Sequence, residues 1–346
     1  MTLPALPAQP AGIPWPTRDW PLGDLPSGLR QPLEAVIGPA FAGKSTEALG
    51  ETHALLIVQG GRIILERYAE GYGPERTYPS WSMAKSVTQA LVGMIVADGG
   101  LDIHAPADVP EWSGPGDPRR EITLDLLLRM SSGLKFVEDY SRDNPSDVIE
   151  MLYGSGKADV AAYAAAQPLA HPPGRWMSYS SGTTNIVSRI AARAIGRTGP
   201  EFEAFMRDRL LDPLGMTSAI PKFDAAGTFI GSSFCFCSAR DFARFGLLYL
   251  RGGVWEGAAL LSPEWVDYAR TPTWRQPDAV DGPYGAHWWL GLCGEGSFSA
   301  NGYDGQHIAV VPDLDMVIVR HGATPSSLKE NLKAWMAAIP DVFRAA

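Results

Sequence analysis

The stretch Trp81-Ser82-Met83-Ala84-Lys85-Ser86, running into the apolar segment 87–97, decides how this chain is read. A serine and a lysine three residues apart share a helical face, with about 5–6 Å between their Cβ atoms. The amine can then reach the hydroxyl. Burial disfavours an ammonium and lowers a lysine pKa, so a buried Lys85 can act as a base and Ser82 as a nucleophile. A helix start also offers free backbone N–H groups and the positive end of the helix dipole. Both favour the negative charge that develops in acyl transfer.

The motif alone is common. With 24 serines and 7 lysines in the chain, chance supplies about half a match to a Ser-x-x-Lys pattern. Three occur: Ser82/Lys85, Ser132/Lys135 and Ser326/Lys329. Gly133 follows Ser132 just after the apolar run 124–130, reads as a helix C-cap, and takes Lys135 into a loop. Ser326 opens a polar, amphipathic segment, where a solvated helix start is expected. Only Ser82 opens a helix that is apolar nearly all round, with Val87, Ala90, Leu91, Met94, Ile95 and Val96. The plain alternative is a capping serine beside a surface lysine.

Upstream, 53–58 and 62–68 read as two strands joined by Gln59-Gly60-Gly61, a hairpin signal. The Ser82 helix ends at Gly99-Gly100. From 101 to 270 the pattern is helical with long loops. Helices are expected at 124–130 with Thr123 as N-cap, at 159–166, 182–195, 201–211 and 239–250, and from Ser262-Pro263. After Asp281-Gly282-Pro283 the segments 284–292, 297–302, 306–312 and 316–321 read as strands with short turns, hence antiparallel. A helix over 326–339 comes next. Strands at both ends with helices between predict an α+β arrangement. An antiparallel sheet from 33–80 and 275–346 carries flanking helices, and a mainly helical domain, 81–274, is inserted. The Ser82 helix falls at the junction, where clefts form. Residues 1–32 hold eight prolines and read as an extended arm over the surface.

The segment from Gly38 to Ser45 matches the phosphate-loop pattern letter for letter. Such a loop needs a buried strand before it and a firm helix after it. Here 33–37 reads as a short, weak strand, and Gly50 breaks the segment after Ser45 within two turns, so a surface loop is expected.

Composition bounds the function. The 346 residues are 45% hydrophobic and 19% charged, as in a soluble globular enzyme of about two domains. Net charge is −9, from 38 acidic and 29 basic residues, with no basic cluster; nucleic acid is not an expected partner. Cys235, Cys237 and Cys293 are odd in number and unpatterned, so buried free thiols are expected rather than disulfides or metal ligands. No apolar run reaches the ~18 residues of a membrane span. The first residues lack the basic and apolar regions of a secretory signal. A cytoplasmic protein is expected by default, with a homodimer left open.

Acyl transfer also needs a proton shuttle and donors for the oxyanion. Tyr179-Ser180-Ser181 lies in a loop before a helix, which suits a site tyrosine, as does plain packing at a helix entry. Gly302-Tyr303-Asp304-Gly305-Gln306 precedes a strand. Glycine there allows close approach of backbone to a ligand, and the Gln306 N–H can serve as a second oxyanion donor. A simple β-turn is the alternative.

Taken in order, Ser82-x-x-Lys85, Tyr179-Ser180-Ser181 and Tyr303-Asp304-Gly305 resemble the serine β-lactamase/penicillin-binding-protein superfamily. The branch it looks most like is the class C-like one of β-lactamase-like carboxylesterases and 6-aminohexanoate-dimer (nylon oligomer) hydrolases. Glu138-Asp139-Tyr140, Pro213-Leu214-Gly215-Met216 and the segment from Ser238 to Gly246 extend the likeness over most of the chain. The resemblance implies a serine hydrolase with no metal or cofactor. Ser82 is its nucleophile, and Lys85 and Tyr179 share the proton work. Backbone N–H groups of Ser82 and Gln306 form its oxyanion hole. Tyr140 matches a substrate-contacting tyrosine, and Ser181, Tyr303 and Gly305 fall on motifs that line the substrate.

Two departures bear on substrate. Tyr303 stands where the third β-lactamase motif begins with the lysine that holds a β-lactam carboxylate. Ser181 stands where class C β-lactamases carry asparagine. The pattern therefore points to short or medium acyl esters and small linear amides. A 6-aminohexanoate-oligomer amidase is the alternative within the class; a β-lactamase or D-Ala-D-Ala peptidase ranks below it. An inactive binding homologue and a nucleotide binder are the readings from other classes. Trp289, with Trp288 beside His287, either walls an apolar acyl pocket or belongs to a buried strand.

Overall fold

The computed structural model describes residues 3–140, 145–273 and 282–346. Its centre is a six-stranded antiparallel sheet. We label the strands β1 (Glu51–Gln59), β2 (Arg62–Tyr68), β3 (Trp289–Leu290), β4 (Phe298–Gly302), β5 (Gln306–Val311) and β6 (Met316–Ala323). Their order is β2-β1-β6-β5-β4-β3. The N-terminal hairpin thus pairs with the C-terminal strand in mid-sheet, Leu56 opposite Val319. The β1–β2 hairpin closes on Gly60 and Gly61, with φ of 57° and 73°. Two left-handed residues give a turn whose twist matches the strands it joins.

The sheet is buried on both faces, so its strands read as continuous apolar runs rather than alternating ones. Leu55, Ile57, Ala309, Val311 and Ile318 face one layer. It is made by α1 (Ser27–Ile37), through Leu33 and Ile37, and by the C-terminal helix Lys329–Arg344, through Leu332, Met336 and Ile339. Ala54, Leu56, Val58, Ile308, Val310 and Val319 face the larger core. Within it α2 (Ala84–Ala97) and α3 (Ser181–Ala194) pack together, and α4 (Ala239–Leu250) lies on the sheet. No helix among the described residues is long and apolar enough to cross a membrane.

Several elements differ from the sequence expectation. Residues 33–37 belong to helix α1, whose buried Leu29, Leu33 and Ile37 recur every four residues. That helix begins inside the span expected to be an extended arm. The phosphate-loop pattern therefore follows a helix, its Gly38–Phe41 forms a single 3₁₀ turn, and Thr46 bridges back to Gly50. Neither the strand nor the helix that a phosphate loop requires is present. The strand expected over 284–292 shrinks to Trp289–Leu290. A Cβ on Gly285 would lie 2.0 Å from the Ala269 carbonyl, and His287 adopts φ 58°. Helix α4, placed by sequence within the inserted helical span, packs on the sheet instead.

Candidate active site

The chain reaches Ser82 through a constrained turn. Ser80 is fully buried; its hydroxyl donates to the Ser233 carbonyl at 3.1 Å and accepts the Cys235 N–H at 2.9 Å. Trp81 follows with φ 43°, a costly conformation for a bulky residue. Trp81–Met83 forms a 3₁₀ turn that runs into α2. Ser82 is partly exposed, whereas every residue from Met83 to Ile95 is buried.

Lys85 is only 1% exposed, and its amine meets three oxygens. They are Ser82 Oγ at 2.9 Å, Ser181 Oγ at 3.0 Å and the Ser232 carbonyl at 2.9 Å. Burial pushes the ammonium pKa down to about 8, against a smaller upward pull from the Glu138 carboxylate. An amine with that pKa is neutral in roughly a tenth of molecules at pH 7, enough for a general base. The Ser232 carbonyl reaches Lys85 because Gly231 lets its loop pass close to α2 and α3. A Cβ on Gly231 would lie 2.2 Å from Thr88 Oγ1 and 2.4 Å from Ser188 Oγ.

Tyr179 immediately precedes α3, whose N-cap is Ser180, accepting from the Thr183 N–H at 3.1 Å. The Tyr179 ring centroid lies 4.8 Å from Lys85 Nζ. Trp289 packs on this ring at 5.2 Å and Tyr284 meets it edge-on at 5.9 Å. The tryptophan pair divides across the strand: Trp289 is half-buried beside Tyr179, whereas Trp288 is fully buried against Tyr249 and Phe298. His287 is a tie within the fold. Its ring touches the Leu128 carbonyl at 2.7 Å and Thr184 at 3.0 Å. Burial pushes it down to about 3, so it stays neutral.

Tyr303 stands edge-on to Trp81, the residue before Ser82, at 5.7 Å and packs on Tyr140 at 4.7 Å. Tyr303–Gly305 forms a 3₁₀ turn between β4 and β5, with Asp304 at φ 57°. Gly305 faces inward, where a Cβ would meet Leu332 and Arg320 at 2.4 and 2.5 Å. The glycine that lets β4 close on the Ser82 turn is Gly302, whose Cβ would sit 2.4 Å from the Ser80 carbonyl. The Gln306 side chain is turned into the sheet, donating to the Gly322 carbonyl at 2.7 Å and accepting from His321 at 3.0 Å.

Sequence reasoning assigned Ser181 as a substrate contact. Its side chain is fully buried and bridges Lys85 to Glu138. Glu138 and Ser232 carried no role in the sequence reading. Glu138 accepts from Ser181 N at 2.7 Å, Ser181 Oγ at 2.6 Å and the Tyr140 hydroxyl at 2.8 Å. Its one sequence signal was its place in Glu138-Asp139-Tyr140. The rival serine–lysine pairs are no sites: Ser132 is buried against Thr183 while Lys135 is exposed, and Ser326 and Lys329 are both exposed.

The model of the Beta-lactamase family matches residues 47–339. The chain belongs to that family. Its β-lactamase-like fold is shared with solved structures, among them a Bacillus anthracis protein provisionally named a 6-aminohexanoate-dimer hydrolase. That structure has a TM-score of 0.77 at 20% identity, over 99% of this chain and 91% of the other. A family VIII carboxylesterase structure has a TM-score of 0.69 at 13% identity, over 92% and 99%. Among curated relatives, the 6-aminohexanoate-dimer hydrolase of Paenarthrobacter ureafaciens is 26% identical over 289 residues, 79% of this chain and 73% of its own. This Beta-lactamase-family chain is therefore a member of a hydrolase family.

Proposed function

We propose that the protein is a serine hydrolase that cleaves short and medium acyl esters, and small linear amides, through an acyl-enzyme. The observation that carries this is the buried Lys85 amine 2.9 Å from Ser82 Oγ. Ser82 Oγ attacks the substrate carbonyl carbon and its proton passes to Lys85 Nζ. The oxyanion is held by the backbone N–H groups of Ser82 and Gln306. The tetrahedral intermediate collapses as the Tyr179 hydroxyl, recharged through Lys85, gives a proton to the departing alkoxide or amine. Water then enters by the same route in reverse and releases the acid. Tyr140, Tyr303 and Trp289 wall the substrate with aromatic surface, and Tyr303 supplies no cation for a carboxylate. The test is hydrolysis of p-nitrophenyl esters together with a fluorophosphonate adduct on Ser82. Undiminished turnover in Ser82→Ala would end the proposal.

A second reading, an amidase of 6-aminohexanoate oligomers, is favoured by the Paenarthrobacter relative and by the packing of Tyr140 on Tyr303 beside Trp81. Amine release from the dimer decides it. Nitrocefin turnover at a rate matching the esters would overturn the argument from the missing third-motif lysine.

A further inference from the structure

Three groups surround the Lys85 amine, and a neutral amine can donate to only two of them. The Ser232 carbonyl can only accept. The Ser181 hydroxyl has its proton committed to Glu138 Oε1 at 2.6 Å, so toward Lys85 it must also accept. Those two take both N–H bonds of the amine. The lone pair is left for the third group, the Ser82 hydroxyl. That outcome depends on Glu138 being an acceptor at both oxygens, one for the Ser181 N–H and one for its hydroxyl.

Building on the serine-hydrolase reading, we propose that Glu138 is a positioning residue that, through Ser181, sets the direction of the hydrogen bonds around Lys85 so that its lone pair faces Ser82. Glu138 touches none of the reacting atoms. Its part is to keep the Ser181 proton away from the amine.

Glu138→Gln keeps the shape and reverses one side of the carboxyl. If the new amide oxygen faces the Ser181 N–H, its NH2 faces the Ser181 hydroxyl, which must then turn its own proton to Lys85. The lone pair is occupied and Ser82 loses its base. The opposite amide orientation sets NH2 against N–H. Removing the Ser181 hydroxyl removes the conflict, because the introduced amide oxygen can then simply accept from the backbone N–H of residue 181. So the two substitutions should not add.

The titratable groups facing this pair are Tyr140 from the Glu138 loop, Tyr179 before α3, and Tyr284 and His287 from the segment ahead of β3. Burial keeps Tyr140 and Tyr284 protonated and His287 neutral. Losing the Glu138 charge removes the one upward pull on Lys85.

The experiment compares wild type, Glu138→Gln, Ser181→Ala and the double variant. It reads the rate of Ser82 labelling by a fluorophosphonate and kcat/KM on p-nitrophenyl acetate across pH. Labelling in Glu138→Gln should fall on the order of 10²-fold, the scale of a lost general base. Its residual rate should reach its alkaline plateau at lower pH than wild type. The double variant should label as fast as Ser181→Ala alone. A Glu138→Gln loss that persists in full in the Ser181→Ala background would overturn the inference, as would an unchanged Glu138→Gln rate. Wild type that neither labels nor hydrolyses esters would instead sink the serine-hydrolase reading on which the inference rests.

Discussion

Lys85 carries opposite consequences for activity and stability. Its free-enzyme base has a pKa of about 8, so kcat/KM on an ester should fall tenfold per pH unit below that value and level off above it. A flat profile from pH 6 upward would remove Lys85 as the base. Lys85→Arg, always protonated, should lose about 10²-fold or more. Stability moves the other way. The unfolded lysine titrates at its ordinary value of 10.5 and the folded one at about 8. Between those values the unfolded chain binds more protons, so stability attributable to this group rises with pH; below about 8 the full cost of burying the ammonium is present, up to about 3 kcal/mol. The advantage in unfolding free energy of Lys85→Met over wild type should therefore shrink as pH rises through that window, as urea titrations can measure. A difference that stays constant with pH would contradict the burial of the charge. The serine and lysine were legible because a motif and an apolar helix coincide in sequence. Glu138 and Ser232 were not, since each acts from a loop, one through a carboxylate and one through a carbonyl, where no periodicity marks a partner.

Elements were legible where local chemistry and tertiary packing agree. Gly60-Gly61 announced the hairpin, and α4 runs over the residues marked by its amphipathic pattern, Ala239–Leu250. Helix α1 was missed because Pro32 stands inside it, and proline in a helix interior ordinarily argues against one. The short β3 was overextended because its neighbours are apolar for another reason: Tyr284 packs on Tyr179 and Trp289, and Trp288 on Tyr249 and Phe298. Gly246 in α4 sets the two kinds of information against each other. By helix propensity, Gly246→Ala should stabilise by about 0.5–1 kcal/mol. Packing says otherwise, since the new Cβ would lie 2.7 Å from both Ile308 Cγ2 and Val317 Cγ1. Both are fully buried, branched side chains of the sheet, and overpacking of this kind costs about 1–3 kcal/mol. The packing term is the larger, so the variant should unfold at lower urea with its m-value unchanged. Greater stability would mean that α4 can lift from the sheet at little cost.

Across the whole molecule, strands from both ends of the described chain meet in the sheet, and the segment ahead of α1 bridges to β2 at Leu22 and Ile63 and is tied to the helices by arginines. A proline-rich arm is short of N–H donors but keeps its carbonyls, so it suits a cationic fork better than a strand partner. Arg270 donates to the Pro4 carbonyl, Arg251 to Pro7, and Arg244 to Pro16 at 2.7 Å and Arg18 at 3.0 Å. Each of these arginines is also paired with an aspartate: Asp267, Asp315 and Asp241. The arm's anchors were not legible in the sequence, because each arginine lies more than two hundred residues away. Arg244 is the most telling of them. It is buried against Asp241 and covers the ring of Trp20 at 5.6 Å. Arg244→Ala would free two arm carbonyls, uncover Trp20 and leave Asp241 without its cation. Breaking a buried pair from one side costs about 3–5 kcal/mol, reduced here because Asp241 keeps the Ser218 N–H at 2.9 Å. The variant should lose about 3 kcal/mol in urea unfolding, and a protease should cut the arm before Ser27 far faster than in wild type. Ser82 labelling per folded molecule should be retained, because Arg244 lies on the sheet helix away from Lys85. An arm that stays protease-resistant in Arg244→Ala would show that Trp15 on Trp255, at 4.9 Å, holds it without the arginine.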